Sequence, residues 1–315
     1  MVSPMSESTD KGDTTGDLFA GLTSPAEASP AGEPRDEVVV PDDGTLPDEA
    51  APREAPSGPI SFASIASLYR YPVKGLTPER LEVVELTEGG YFPGDRLFAI
   101  ENGPSGFLPE APAFQPKIKF LMLMRNERLA ALRTRYDDVT GELILEQDGA
   151  EAARGNLHTP EGREAIEAFF QRYSRYELRG APKVLQAPAG FRFVDTTRGY
   201  VSLINLASCR ALGEMIGRPV DPLRFRANLY LEGMEPWEEF DLVGQVVEIG
   251  NHVRLKVTER ITRCAATNVD PASARRDMDV PGTLLRSFGH IDCGIFAEVL
   301  EGGLIAEGDS VRITL

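Results

Sequence analysis

The chain has 315 residues, enough for about two domains, and its 42% hydrophobic and 26% charged residues are those of a globular protein. Its net charge of −16 excludes a nucleic-acid binder, which needs clustered Lys and Arg against phosphate. No apolar stretch approaches the roughly 18 residues of a membrane span, and no signal-peptide core is visible, so a cytoplasmic protein without membrane association is expected.

The acidity is uneven. Residues 1–59 hold 13 Asp/Glu against 3 Lys/Arg, with Phe19 the single aromatic. Such a Pro-rich segment has too little apolar surface to offset its ordering entropy, so a disordered acidic tail is expected. Order is expected from Ile60. Short β-like runs follow at Ile65–Tyr71, Leu81–Leu86, Leu97–Ile100, Ile118–Met124 and Leu143–Leu145. The fourth alternates Ile118, Phe120, Met122 and Met124 with Lys119, Leu121 and Leu123, the pattern of a largely buried strand. Gly89-Gly90, Pro93-Gly94 and Asp137-Asp138 punctuate the runs as turns.

A helix is then predicted. Thr159 caps it, Pro160 fits its first position, and Ile166, Phe169, Phe170 and Tyr173 line one face. Pro182 and Pro188 flank a domain junction. A strand at Tyr200–Ile204 leads into a second helix, capped by Asn205 and ended by Gly217, with Leu206, Cys209 and Ile216 on one side. Further strands are predicted at Ala227–Leu231, Val246–Ile249, Val253–Val257, Gly294–Val299 and Val311–Leu315. The fold class is mostly β with a few helices (α+β). The division is a tail over 1–59, a β-barrel-like domain over 60–186 and a second β-barrel domain over 187–315.

The chain has three cysteines, too few for a disulfide framework, and no CxxC or zinc spacing. Cys264 follows Arg263, with Arg260 nearby, where a β-run enters a polar loop. Positive neighbours favour the thiolate, the metal-binding form. The local residues leave this reading and a small buried hydrophobe equally open. Cys209 reads as a structural thiol on an apolar helix face. Cys293, between Asp292 and Gly294 at a strand start, is open to exposure, with only His290 as a basic neighbour.

Basic residues recur at β-run edges: Lys74, Arg96, Arg224 and Arg226. Together they form a potential phosphate clamp, since guanidinium groups pair with phosphate oxygens in a fork. Taken singly, each reads as a surface cation.

The ordered set Tyr71-Pro72-Val73-Lys74, Asp95-Arg96-Leu97-Phe98, Arg224-Phe225-Arg226-Ala227-Asn228 and Arg263-Cys264 through Val269-Asp270-Pro271 resembles the MOSC family. So does the close from Gly302-Gly303 to Gly308-Asp309-Ser310-Val311. The resemblance spans about residues 60–315 and implies a MOSC N-terminal β-barrel domain followed by a MOSC domain. It implies a molybdenum–molybdopterin cofactor, with Cys264 as the metal ligand and a catalytic residue. Lys74, Arg96, Arg224, Arg226 and Asn228 would contact the pterin or its phosphate. Thr262 and Arg263 would frame the metal loop, and Asp270, also expected at the catalytic centre, would hold that loop's shape. Pyridoxal phosphate is not expected, because the aminotransferase-like sulfurase domain of some relatives is missing.

This chain has Gly75 where amidoxime-reducing members have Ser. It has Ala227 where they have Pro, and Ala113 to Lys117 where they carry a more basic stretch. The expected function is an oxidoreductase acting on small N-oxygenated or related substrates. Without a GxGxxG fingerprint after a predicted strand or an iron–sulfur Cys set, it would draw electrons from a separate donor protein. A non-enzymatic cofactor or sulfur carrier, and a β-barrel interaction protein with a vestigial site, are the competing readings.

Overall fold

The computed structural model describes residues 61–196 and 200–313. The expectation for the 1–59 tail lies outside them. The first half runs β1 (Ser61–Arg70), β2 (Glu79–Leu81), β3 (Val83–Leu86), β4 (Phe98–Asn102), β5 (Arg133–Tyr136), β6 (Glu142–Gln147), β7 (Ala150–Asn156), α1 (Pro160–Tyr173) and β8 (Pro182–Gln186). The second half runs β9 (Val201–Asn205), α2 (Leu206–Ile216), β10 (Leu229–Glu232), β11 (Val246–Ile249), β12 (Val253–Thr262), α3 (Val280–Phe288), β13 (Asp292–Glu301), β14 (Gly303–Ala306) and β15 (Ser310–Ile313). The fold is mostly β, with three α-helices among the described residues.

Seven strands close a barrel in the order β10-β9-β13-β12-β11-β15-β1, and β1 pairs back onto β10. Only β9 and β10 run parallel within it. The closing strand comes from the far end of the sequence: β1 pairs antiparallel with β15 over Ser61 to Ser64 and with β10 from Ser64 to Leu68. Closure leaves no unpaired edge. Ile65, Leu203, Leu229, Leu255, Ile295 and Val311 fill the interior. Burying each such side chain contributes about 1.5–3 kcal/mol relative to leaving it in water.

A second core joins the β5-β6-β7 sheet, the β4–β8 pair and α1 through Val73, Phe98, Leu143, Ile166 and Phe170. The predicted cap of α1 is present: Thr159 Oγ1 accepts from Gly162 N at 3.1 Å, and Pro160 sits in the first turn. Asn205 caps α2 through Ala207 N at 2.9 Å, and Gly217 ends it in the left-handed conformation. Helices α2 and α3 cover the barrel with Cys209, Leu212, Val280 and Leu284.

Several expectations are corrected. The run Ile118–Met124 is not a strand. Lys117–Lys119 forms a 3-10 turn after Pro116, and only Phe120 makes an isolated bridge, to Glu101. Asn126 Oδ1 takes Met122 N at 3.0 Å, so a side chain replaces the ladder partner, while Phe120, Leu121 and Met122 stay buried. Pro182 opens strand β8, where as the first strand residue it is tolerated without an N–H. Cys293 is fully buried, and its basic neighbour is Arg263 rather than His290 alone.

Candidate functional site

A cavity of about 360 Å³ opens where the last residues of β12 meet the residues that lead into β9 and β10. Segments from the first half of the chain complete it. The loop after β1 and the loop before β4 are stitched together: Arg96 N donates to Tyr71 O at 2.8 Å, Lys74 N to Phe98 O at 2.8 Å, and Tyr71 N to Asp95 Oδ1 at 2.7 Å. Gly75 is required here. Its φ is +83°, and a Cβ would come within 2.9 Å of Leu121 O.

Two arginines in this wall adopt left-handed backbone, Arg96 at φ 46° and Arg226 at φ 54°. Such conformations cost about 1–3 kcal/mol each and persist only where the surroundings impose them. Both guanidinium groups lie over the Tyr71 ring, at 4.7 Å and 4.2 Å from its centre. Arg96 pairs with Asp95 and donates to Arg226 O at 3.1 Å. Burial works against the Arg96 charge, but Asp95 more than offsets it and raises its pKa. Arg226 has no carboxylate partner among the described residues. Its Nη1 donates to Leu76 O at 2.7 Å, and its buried Nη2 finds no partner there. Burial, helped by Arg96 and opposed by Tyr71, lowers the Arg226 guanidinium to about 10.

A second cationic set faces Cys264. Buried Lys74 donates to Phe193 O at 2.9 Å and pairs with Asp195, which also meets Lys117 Nζ at 3.6 Å. Burial pulls the Lys74 ammonium down, with Asp195 opposing. Burial also raises the Asp195 carboxyl, but Lys74 and Lys117 outweigh it and hold it at about 2. Lys117 reaches the Cys264 side chain. Asp195 and then Cys264 outweigh the burial of its ammonium and raise its pKa.

Cys264 itself is half-buried and stands before a 3-10 turn, Ala265–Asn268, whose Thr267 Oγ1 donates to Cys264 O at 2.9 Å. The other two thiols are buried. Burial pushes Cys293 up to about 12 despite Arg263, and raises Cys209 as well. Arg263 is held by backbone carbonyls, through Nε to Cys293 O at 2.6 Å and Nη1 to Phe225 O at 2.9 Å. Its Nη2 is buried and unpartnered among the described residues, and burial lowers its pKa. Gly294, at φ +77°, makes room for it: a Cβ would come within 2.9 Å of that nitrogen.

Lys74, Arg96, Arg224, Arg226, Asn228, Thr262, Arg263 and Cys264 all line the cavity; Asp270 does not. Asp270 shapes the loop, as expected of it, although it stands outside the cavity lining. It accepts from Ala272 N at 2.8 Å and Ser273 N at 2.6 Å, and pairs with Arg224 at 2.8 Å. Arg224 pairs with Asp270 and Asp277 and donates to the carbonyls of Thr267 and Asn268, while its buried Nε has no partner among the described residues. Asn228 joins strands, accepting from Ser202 Oγ at 2.8 Å and donating to Tyr69 O at 3.2 Å. Thr262 Oγ1 donates to Asp292 at 3.0 Å.

Sequence reasoning missed Tyr71 as a platform, Asp195 as the carboxylate between two lysines, and Lys117 beside the thiol. It also missed Arg276, which ties Ala265 O to Leu123 O and Met124 O at 2.8–3.0 Å. Among the described residues no group of three His, Cys, Asp or Glu could hold a metal, so a metal at Cys264 takes a single thiolate from the described residues. Nor is any described helix long and apolar enough to cross a membrane.

Fold and site together define a β protein with a cation-lined cavity against a closed barrel and one half-buried thiol in its wall. The chain belongs to the MOSC family: residues 62–176 match the MOSC N-terminal beta barrel domain and residues 192–312 the MOSC domain. That family is associated with the molybdenum cofactor. Among solved structures the chain is similar to the YUAD protein from Bacillus subtilis, at 12% identity over 80% of this chain and 96% of that one, with a TM-score of 0.38. It is also similar to YiiM from Geobacillus stearothermophilus, at 22% identity over 36% of this chain and 53% of that one, with a TM-score of 0.28. No curated protein matches it.

Proposed function

We propose that the cavity holds a molybdenum cofactor, with Cys264 Sγ as the protein's ligand to the metal and Arg226 as the principal partner of the cofactor's anionic groups. The observation that carries this reading is the Arg226 guanidinium. It is half-buried, has no carboxylate partner among the described residues, keeps one buried nitrogen without a partner there, and lines the same cavity as the half-buried thiol. Withdrawing an uncompensated cation from water costs free energy, which an anionic ligand offsets. The donor set also fits, since a soft thiolate suits molybdenum whose other sulfur ligands come from the molybdopterin dithiolene.

When bound, the cofactor would supply two-electron oxygen-atom-transfer chemistry. The chain's own residues have other tasks. Arg96 and Lys74 would complete the cationic wall, Arg263 would fix the approach to Cys264, and Arg224 with Asp270 would hold the loop in shape. The corresponding activity is that of an oxidoreductase for small N-oxygenated or related substrates, served by a separate electron-donor protein.

One contact favours a second reading, a cofactor or sulfur carrier. The Lys117 ammonium stands beside the Cys264 side chain, where it would face an anionic sulfur group carried there.

Elemental analysis of freshly purified protein tests the assignment. Molybdenum should be present in the wild type and in Cys209→Ser and lost in Cys264→Ser. Equal metal in the two variants would remove Cys264 from the site.

A further inference from the structure

The chain is acidic overall, at −16, yet one hollow apart from the thiol's cavity gathers three arginines. Its volume is about 390 Å³, and Arg125, Arg179 and Arg276 line it beside Glu127 and Glu177. Met124 is the one residue whose side lines both hollow and cavity.

Two asparagine side chains fix the backbone that presents these arginines. Asn126 Oδ1 takes Met122 N at 3.0 Å, and its Nδ2 donates to Glu177 Oε2 at 2.6 Å. Arg125 sits in the same turn, its N donating to Met122 O at 3.0 Å. Asn102 Oδ1 takes Arg179 N at 2.7 Å, and its Nδ2 donates to Glu177 O at 3.3 Å. The side chains of Arg125 and Arg179 are left over: neither makes a hydrogen bond or ion pair among the described residues. Arg276 is partly engaged. Its Nη1 holds Ala265 O, next to Cys264, and its Nη2 holds Leu123 O, Met124 O and Glu127, while its Nε donates to nothing among the described residues. Glu127 answers Arg276 and Glu177 is turned onto Asn126, so three guanidinium groups stand against two carboxylates and the excess is positive.

We propose that this hollow binds a compact, doubly charged oxyanion, a small phosphate ester or dicarboxylate, with Arg125 and Arg179 as its main partners and Arg276 Nε as the third. Guanidinium groups pair with such oxygens in a fork, and these have no competing carboxylate bonded to them inside the protein apart from Glu127. Arg276 carries the occupancy to the thiol's loop. An anion on its Nε leaves the bonds to Ala265, Leu123 and Met124 in place and anchors the guanidinium further, so the Ala265–Asn268 turn is held more firmly. The inference goes beyond the cofactor reading and does not depend on it.

The test is a calorimetric titration of full-length protein with inorganic phosphate and, separately, malonate, at constant ionic strength and with acetate as the singly charged control. Because the thiol's cavity also carries cations, both proteins compared carry Arg226→Met, one alone and one with Arg125→Gln and Arg179→Gln added. Arg125 and Arg179 are exposed, so glutamine there leaves the core intact. At least one dianion should bind the first protein saturably and at least about tenfold more tightly than the second, with acetate unable to displace it. Phosphate without malonate assigns the ester, and malonate without phosphate the dicarboxylate. No saturable binding of either to the first protein, or equal affinity for the two proteins, overturns the site. Amide hydrogen exchange in the Ala265–Asn268 turn should slow severalfold on binding in the first protein only. Unchanged exchange with binding intact would sever the link to the thiol's loop. Molybdenum content of the wild type judges the cofactor reading separately.

Discussion

Two kinds of cation line the cavity, and they are held in opposite ways. Lys74, Arg96 and Arg224 each face a carboxylate: Asp195, Asp95, and the pair Asp270 and Asp277. Their charges are neutralised inside the protein, and they serve as struts. Arg226 and Arg263 rest on backbone carbonyls, which orient a guanidinium without cancelling its charge, and each keeps a buried Nη2 unpartnered among the described residues, as Arg224 keeps its Nε. Burial lowers the pKa of both. The lesson is that the residues nearest a strut geometry stabilise the fold, while the carbonyl-held pair carries the unspent field that an anion would complete.

The largest effect should come from cutting a strut. Arg224→Met leaves two carboxylates facing a buried gap and releases the Cys264 loop. Urea unfolding should show a loss of about 3 kcal/mol, the range for breaking a buried pair on one side. A loss under about 0.5 kcal/mol would erase the distinction between the two kinds of cation.

Arg226→Met should behave in the opposite sense in cofactor-free protein. It removes a desolvated, uncompensated charge, so stability should hold within about 1 kcal/mol or rise. A fall as large as that of Arg224→Met would place Arg226 among the struts.

Acid sharpens the comparison further. The Asp195 carboxyl is held at about 2, below its ordinary 3.8. A depressed acid contributes stability that is complete above its unfolded value and is lost as pH falls toward the folded one. Wild-type stability should therefore drop between pH 3.8 and about 2 more steeply than that of Asp195→Asn. Because half of the side chain is exposed, the difference should be modest. Parallel acid curves would mean that Asp195 is not held by its lysines.

The smallest effect is expected from removing the acidic tail. A chain starting at Gly58 should melt at nearly the wild-type temperature, because residues 1–59 carry so little apolar surface. A clear fall in melting temperature would show that the tail contributes to the folded body.

Local chemistry explains which features were legible in the sequence. Thr159-Pro160 and Asn205 with Gly217 announce their helix ends because caps and left-handed stops depend on single residues a few positions apart. The pairing of β1 with β10 and β15 was invisible, since partners lie more than 150 residues apart and no local pattern encodes them. The Ile118–Met124 run misled because a buried irregular segment shows the same apolar density as a buried strand. In the site, the motif residues were legible as a set, and all but Asp270 line one cavity. Their roles were not legible. Whether an arginine meets a carboxylate or a carbonyl depends on chain segments that only the fold brings together. Lys117 and Asp195 escaped for the same reason: 147 and 69 positions separate them from the thiol they help to frame.

The most direct measurement is molybdenum per chain in freshly purified wild-type protein beside Arg226→Met. The account predicts near-stoichiometric metal in the wild type. In the variant it predicts a fall in cofactor affinity of at least about tenfold, some 1.4 kcal/mol, with the melting temperature of the cofactor-free protein preserved. Full metal in Arg226→Met, or a wild type that never carries molybdenum, would contradict it.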